Sequence, residues 1–118
     1  MGVRPLQDIA VTAELDDVST ADTCYVAVPS AGRVIKLYAV MHAHVSGANA
    51  TLTAGINGTA ITGGGMTVVQ SGSTAGDMYS ATPTALNNVV EGDYLDFATG
   101  GSSTSACRAT FTAVIRRS

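Results

Sequence analysis

Alternation of apolar and polar residues dominates this chain, and it is clearest over residues 33–56. In residues 35–45 the odd positions are apolar, whereas most even positions are polar. Successive side chains of a strand point to opposite faces, so this stretch predicts a long strand with one buried face. The predicted inward set is Ile35, Leu37, Ala39, Met41, Ala43 and Val45.

A second alternating run begins after a short Ser-Gly-Ala connection. It places Ala50, Leu52, Ala54 and Ile56 on one face, with polar residues between them. Two period-two runs joined by so short a connection predict a β-hairpin. A hairpin of this kind is typical of an antiparallel domain with one packed face and one face available for contacts.

The remaining pattern extends the same class of structure. Asn57-Gly58 predicts a type I′ turn, because both residues tolerate positive φ. The Gly63-Gly64-Gly65 run predicts a tight corner or bulge, since neither a helix nor a lysine follows it as a phosphate loop requires. Residues 106–117 predict a final strand whose inward set is Cys107, Ala109, Phe111, Ala113 and Ile115.

These elements predict an all-β fold: an antiparallel β-sandwich or jelly roll of about eight short strands with an N-terminal arm. Residues 1–22 are interpreted as the arm and a weak first strand, and residues 23–118 as the sandwich domain. No stretch predicts a helix. The chain has no tryptophan, which favours a jelly roll over an immunoglobulin-like sandwich.

Composition and charge limit the classes of partner that we expect for this chain. The formal net charge is −3, and the basic residues are dispersed in sequence with only the last two adjacent, so nucleic acid is not expected as a partner. No apolar run reaches membrane-spanning length and no signal peptide is visible, so we expect no membrane contact and synthesis in a host cytoplasm. With few large apolar side chains, the core is thin, and association with other copies is an expected source of stability.

Candidate chemistry is sparse, and no enzyme activity or cofactor is predicted. Cys24 and Cys107 lie on the apolar phase of their strands, which favours two buried free thiols and leaves a disulfide as the alternative. His42 and His44 share the outer phase of the long strand, but two histidines without further ligands do not make a metal site. Together with Tyr38 and Val40 they predict instead a surface that meets another subunit, because tyrosine and histidine suit interfaces.

Several ordered loop signatures resemble a family of small phage virion proteins. They are Ala-Thr-Leu-Thr at residues 50–53, the Gly-rich corner at 61–65, the loops at 70–77 and 80–85, Asn-Asn-Val-Val-Glu-Gly-Asp at 87–93, and the last strand at 109–115. The resemblance covers roughly two-thirds of the chain and excludes residues 1–31. The family is similar to head decoration, or cement, proteins.

The resemblance implies a structural role without chemistry. It implies a capsid decoration protein, usually a homotrimer, that binds the major capsid protein on the outside of the head and stabilises the lattice. An N-terminal arm with Arg4, Leu6 and Ile9 is expected to reach the capsid or a neighbouring copy and to become ordered there. The alternative is a tail-fibre or carbohydrate-binding β-sandwich module.

Overall fold

The computed structural model describes residues 8–101 and 103–117. Within those ranges the chain forms antiparallel strands and no helix, and thus no helix that could cross a membrane. The strands are β1 (Asp8–Leu15), β2 (Asp22–Ala27), β3 (Gly32–Met41), β4 (Ala50–Ile56), β5 (Thr59–Ala60), β6 (Met66–Val68), β7 (Met78–Ala81), β8 (Asn88–Val89), β9 (Tyr94–Thr99) and β10 (Ala109–Arg117).

Two sheets of five strands form a sandwich, which confirms the predicted fold class. Sheet A runs β1-β10-β3-β7, with β8 also paired to β3, and sheet B runs β2-β9-β4-β5, with β6 also paired to β4. Apolar side chains from both sheets fill the space between them. Phe111 of sheet A stacks on Phe97 of sheet B with ring centroids 4.8 Å apart, and both side chains are fully buried.

The predicted hairpin between β3 and β4 is wrong, because these strands belong to different sheets. Residues 42–49 cross from one sheet to the other. Val45 in this connection is fully buried, and its backbone N–H and C=O both bond to the Ser73 hydroxyl. The apolar alternation therefore continues past the end of β3 into a segment that is not paired as a strand. Because of this continuation, the sequence pattern predicts a connection shorter than the one in the structure.

The predicted inward set of β3 is correct at Leu37, Ala39 and Met41 but shifts at the start of the strand. The β3–β10 register is irregular where Val114 pairs with Lys36 and Ile115 pairs with Val34. Val34 is consequently fully buried, whereas Ile35 is partly exposed. A bulge adds one residue to one strand and reverses the alternation, so a strict period of two cannot predict it.

The sandwich begins earlier in the chain than the sequence suggested. β1 pairs with β10 along all eight of its residues, so residue 22 does not separate an arm from the domain. Ile9 lies in β1 opposite Ile115 and packs against the core. The prediction that Ile9 belongs to a free arm is therefore wrong. The alternation of β1 looked weak because β1 is an edge strand of small and polar residues. Arg4 and Leu6 lie outside the described residues.

The predicted turn at Asn57-Gly58 is confirmed, with φ of 51° and 85°. Ile56 pairs with Thr59 across the turn. The Asn57 side chain also holds the neighbouring β8–β9 turn: its Nδ2 donates to Asp93 Oδ1 at 2.9 Å, and its Oδ1 accepts from the Tyr94 N–H at 3.0 Å. One asparagine therefore supplies both the left-handed backbone and the link between two turns.

Replacing Asn57 with alanine is expected to lower the free energy of unfolding by about 1–3 kcal/mol, through two lost hydrogen bonds and a strained positive φ. Asn57→Gly is the matched control, because glycine tolerates this φ and loses only the hydrogen bonds. Urea denaturation should rank the proteins wild type, glycine variant, alanine variant. Equal stability of all three would contradict the role given to Asn57.

Candidate interaction surfaces

The outer face of sheet A has an uncharged centre. Tyr38 and Val40 project outward from β3, opposite Thr112 and Thr110 of β10, and Met78 of β7 lies on the other side of Val40. Met78 is 63% exposed, although it lies within a strand. We call the following set the sheet A face: Ala10, Thr12, Tyr38, Val40, Met78, Ser80, Thr110, Thr112 and Val114.

The structure separates the two histidines that the sequence placed together. His42 follows β3 directly, remains at the edge of the sheet A face, and its Nε2 is 2.8 Å from Thr110 Oγ1. His44 lies in the connection between the sheets, with its Nδ1 2.8 Å from both the hydroxyl and the carbonyl oxygen of Ser73. No group of three metal-ligating side chains occurs among residues 8–101 and 103–117.

The Ser73 hydroxyl contacts the His44 imidazole as a catalytic serine contacts its base, but Ser73 is not accessible to a substrate. Ser73 is 4% exposed, and its hydroxyl lies within hydrogen-bond distance of the Val45 and Gln70 carbonyl oxygens while accepting from the Val45 N–H. A nucleophile must reach its substrate and hand its proton to the base. The Ser73 hydroxyl is instead used to tie the loop at residues 70–77 to the connection at 42–49.

Sheet B presents an exposed aromatic pair. Tyr25 of β2 is 65% exposed and packs edge-to-face on Tyr94 of β9, with ring centroids 5.5 Å apart. Asp96 lies directly across the ladder from Tyr25, and its Oδ2 accepts from the Gly58 N–H at 3.0 Å. A Cβ at Gly55 would come 2.7 Å from Asp96 Oδ1, so only glycine leaves room for this carboxylate.

Three aspartates have lowered pKa values because of hydrogen bonds to their charged form. The Arg116 guanidinium lowers the pKa of Asp8, the hydroxyl and N–H of Ser19 lower that of Asp17, and the Val90 N–H and the Asn57 amide lower that of Asp93. Each contribution to stability is present above the unfolded-state value of 3.8 and is lost as the pH falls through the lower folded-state pKa.

Stability is therefore expected to fall as the pH is lowered below about 4. The urea midpoint measured at pH 6, 4 and 3 should decrease across this series, and the decrease should be smaller in Asp93→Asn, which has no charge to lose at this site. A midpoint in the wild-type protein that is independent of pH down to pH 3 would contradict the hydrogen-bond assignment.

The cysteines are free thiols, in agreement with the preferred interpretation of the sequence. Cys24 lies in sheet B and Cys107 lies just before β10 of sheet A. Partial burial is the main cause that raises the pKa of Cys24 to about 11. Cys107 is buried and its Sγ is 3.4 Å from the Ala43 carbonyl oxygen. A raised pKa is the opposite of what activates a cysteine, so Cys24 is not in the environment of a reactive thiolate.

Three of the basic residues, which are dispersed in sequence, form a cluster in the fold. The β3–β10 pairing brings Arg33 beside Arg116 and Arg117 at the end of sheet A where β3 begins. Arg116 donates two hydrogen bonds to Asp8. Only the strand pairing could have predicted this cluster, because Arg33 is distant from the other two in sequence.

No protein-family model matches this chain, and no curated protein matches it in sequence. Solved structures share its fold at low sequence identity. A chain of the structure described as "Acidic stable capsid structure of Helicobacter pylori bacteriophage KHP30" superposes with a TM-score of 0.56 and 10% identity, over 92% of this chain and 86% of that one.

Two further structures have similar scores. A chain of the cyanophage Pam1 capsid asymmetric unit gives a TM-score of 0.51 and 16% identity, over 93% of this chain and 84% of that one. The module CsCBM6-3 of Clostridium stercorarium, solved in complex with cellobiose, gives 0.55 and 11%, over 94% and 82%. In a matched Bacillus subtilis arabinoxylan arabinofuranohydrolase this chain spans only 21% of the enzyme. The shared feature is the β-sandwich fold.

Proposed function

We propose that this chain is a phage capsid decoration protein that binds the outer surface of the head and stabilises the capsid lattice, as a trimer. One support, which the carbohydrate-binding module CsCBM6-3 shares, is the reciprocal coverage with single chains of two phage capsid structures, KHP30 and Pam1. In both, nearly the whole of one small chain superposes on nearly the whole of the other. The loop signatures that resemble small virion proteins point the same way.

The surfaces of the chain suit this role better than its reactive groups do. The centre of the sheet A face is uncharged and contains half-buried Tyr38 and Val40, which is the composition of an interface core, and the charged residues Lys36 and Glu14 flank this centre. We assign it to contacts between copies. Ser73 and Cys107 are buried, and Cys24 is partly buried with a raised pKa, so this proposal includes no catalytic step.

The test is addition of the purified chain to heads that lack it. Saturable occupancy, together with a higher temperature of head disruption, is the expected result, since many modest contacts on one shell act together. A variant without residues 2–7 separates the arm from the domain, because it retains Asp8 and its bonds to Arg116. We expect this variant to stay folded and to occupy heads more weakly.

Heads that remain bare at saturating protein would refute the proposed function. Full occupancy by the variant without residues 2–7 would refute only the part assigned to Arg4 and Leu6. Ile9 is left in place in this variant, because its side chain belongs to the core.

Carbohydrate binding is the second candidate, favoured by the Tyr25–Tyr94 pair beside Asp96. Aromatic rings offer an apolar surface to a sugar, and a carboxylate accepts hydrogen bonds from its hydroxyls. The CsCBM6-3 module has this fold and was solved with cellobiose. A glycan screen with the wild-type chain and Tyr25→Ala tests it: binding that disappears in the variant favours this candidate, and binding by neither removes it.

A further inference from the structure

The strongest unassigned feature is a cleft at one end of sheet A, with a volume of about 530 Å3. Three arginines contribute to its wall, which is half of the six lysines and arginines in a chain of net charge −3. Val90, 58% exposed, adds an apolar surface beside them. We call it the basic cleft; it is formed by Arg33, Asn88, Val89, Val90, Arg116 and Arg117.

The arrangement of charges in the basic cleft is unfavourable for the isolated chain. Arg33 and Arg116 are direct partners in the β3–β10 ladder, and like charges directly opposite each other destabilise a sheet. Asp8 offsets one of them, since Arg116 Nε and Nη2 donate to its two carboxylate oxygens at 3.0 and 3.2 Å. The Arg33 side chain is exposed, and its guanidinium forms no hydrogen bond or ion pair within the described part of the chain.

The pair formed by Arg116 and Asp8 identifies the chemistry that this cleft favours. Two parallel hydrogen bonds from one guanidinium to one carboxylate are the geometry in which arginine recognises an acid. Arg33 occupies the neighbouring position without such a ligand. Residues 1–7 cannot supply one, because they contain no aspartate or glutamate and add a further arginine, Arg4.

The shape of the site favours a peptide over a small anion. β8 pairs with β3 at Gly32 and Arg33, and no described strand pairs with its other edge. An extended segment can add to such an edge while its side chains reach the cleft. The exposed Val90 then covers apolar side-chain atoms, and Arg33 pairs with an acidic side chain of the same segment.

We propose that the basic cleft binds an acidic, extended segment of the capsid shell protein, with Arg33 pairing with a carboxylate of that segment. This inference rests on the proposed function and adds to it the part of this chain that faces the shell and the chemistry of its partner. The sheet A face then remains for contacts between copies.

The test compares the full-length chain with Arg33→Glu and with Arg108→Glu as the matched control. Arg108 is also exposed, makes only a 3.6 Å surface ion pair with Glu14, and precedes β10 at the opposite end of sheet A. Each protein is added to heads that lack it, and each is titrated separately with a fluorescent hexaglutamate peptide. We expect Arg33→Glu to bind heads and peptide about tenfold or more weakly than the wild type, and Arg108→Glu to bind both within about twofold.

The two experiments separate the two proposals. Equal binding of heads by the wild type, Arg33→Glu and Arg108→Glu would overturn the cleft assignment and leave the proposed function intact. Heads left bare by the wild type would refute the proposed function, and the hexaglutamate titration would then decide the cleft alone. Self-association lost in Arg33→Glu, with head binding unchanged, would assign the cleft to a second copy and overturn this inference.

Discussion

Replacing Phe111 with alanine is expected to cost about 3–5 kcal/mol of stability, the typical loss for a buried phenylalanine. The Phe111 ring is fully buried and stacks on Phe97 across the two sheets, with an interplanar angle of 13°. These are the only phenylalanines in a chain without tryptophan. The surrounding core is built largely from alanine, valine and leucine, which cannot extend to fill the space left by a ring. The free energy of unfolding of a domain is about 5–15 kcal/mol in total, so this single substitution removes a large share of it.

Urea denaturation with matched m-values measures this loss. Val69→Ala is the control, because Val69 is 50% exposed and its truncation should change the free energy of unfolding by less than about 0.5 kcal/mol. If the alanine variant does not fold, Phe111→Leu, expected to cost about 1.5 kcal/mol or less, keeps the effect measurable. A cost below about 1 kcal/mol for Phe111→Ala would contradict the central position given to this ring.

The alternation of apolar and polar residues correctly predicts the buried side chains of a strand when one face of that strand is buried along its whole length. The five residues predicted to face inward from the last strand, Cys107 just before β10 and four residues within it, are all buried. The strand lies between β1 and β3, so the alternation of small apolar residues with threonine and arginine directly reflects core and surface. The Asn57-Gly58 turn was predictable for another local reason, since few residue pairs tolerate its backbone.

Non-local features were not predictable from the same pattern. The connection at residues 42–49 carries the alternation of a strand because Val45 enters the core from a loop, and this hid the change of sheet. The position of His44 follows from that crossing, since its partner Ser73 lies in another loop. Neither the bulge at Ile35 nor the contact between Arg33 and Arg116 leaves a signal in the local sequence.

The same distinction separates the candidate surfaces. Tyr38, Val40 and His42 were found from one strand, because residues of alternate positions share a face. Their neighbours Met78 and Val114 required the pairing of β3 with β7 and β10. The sheet A face is thus an extension of a local prediction, whereas the basic cleft depends wholly on the topology. Both lie on sheet A, the basic cleft at the end where β3 begins.

Placing aspartate at both Tyr38 and Val40 is expected to convert the proposed trimer into a monomer. Both side chains are half-buried on the outer face of β3, and neither contributes to the core between the sheets. Burying a carboxylate in an interface without a cationic partner costs several kcal/mol. Each subunit interface of the proposed trimer would contain at least one such unpaired carboxylate. Light scattering should record a molar mass reduced to one-third of that of the wild type at the same concentration.

Thr67→Asp is the control for position, since it introduces one such carboxylate at an exposed strand position of sheet B. It should leave the molar mass unchanged, and circular dichroism should give the same β spectrum for all three proteins. The double variant should also occupy heads weakly even though its basic cleft is intact, because a monomer loses the multivalent gain of three linked contacts. A double variant that keeps the molar mass of the wild type would place the subunit interface elsewhere on the sandwich, and sheet B, with its exposed Tyr25–Tyr94 pair, would then be the next face to test.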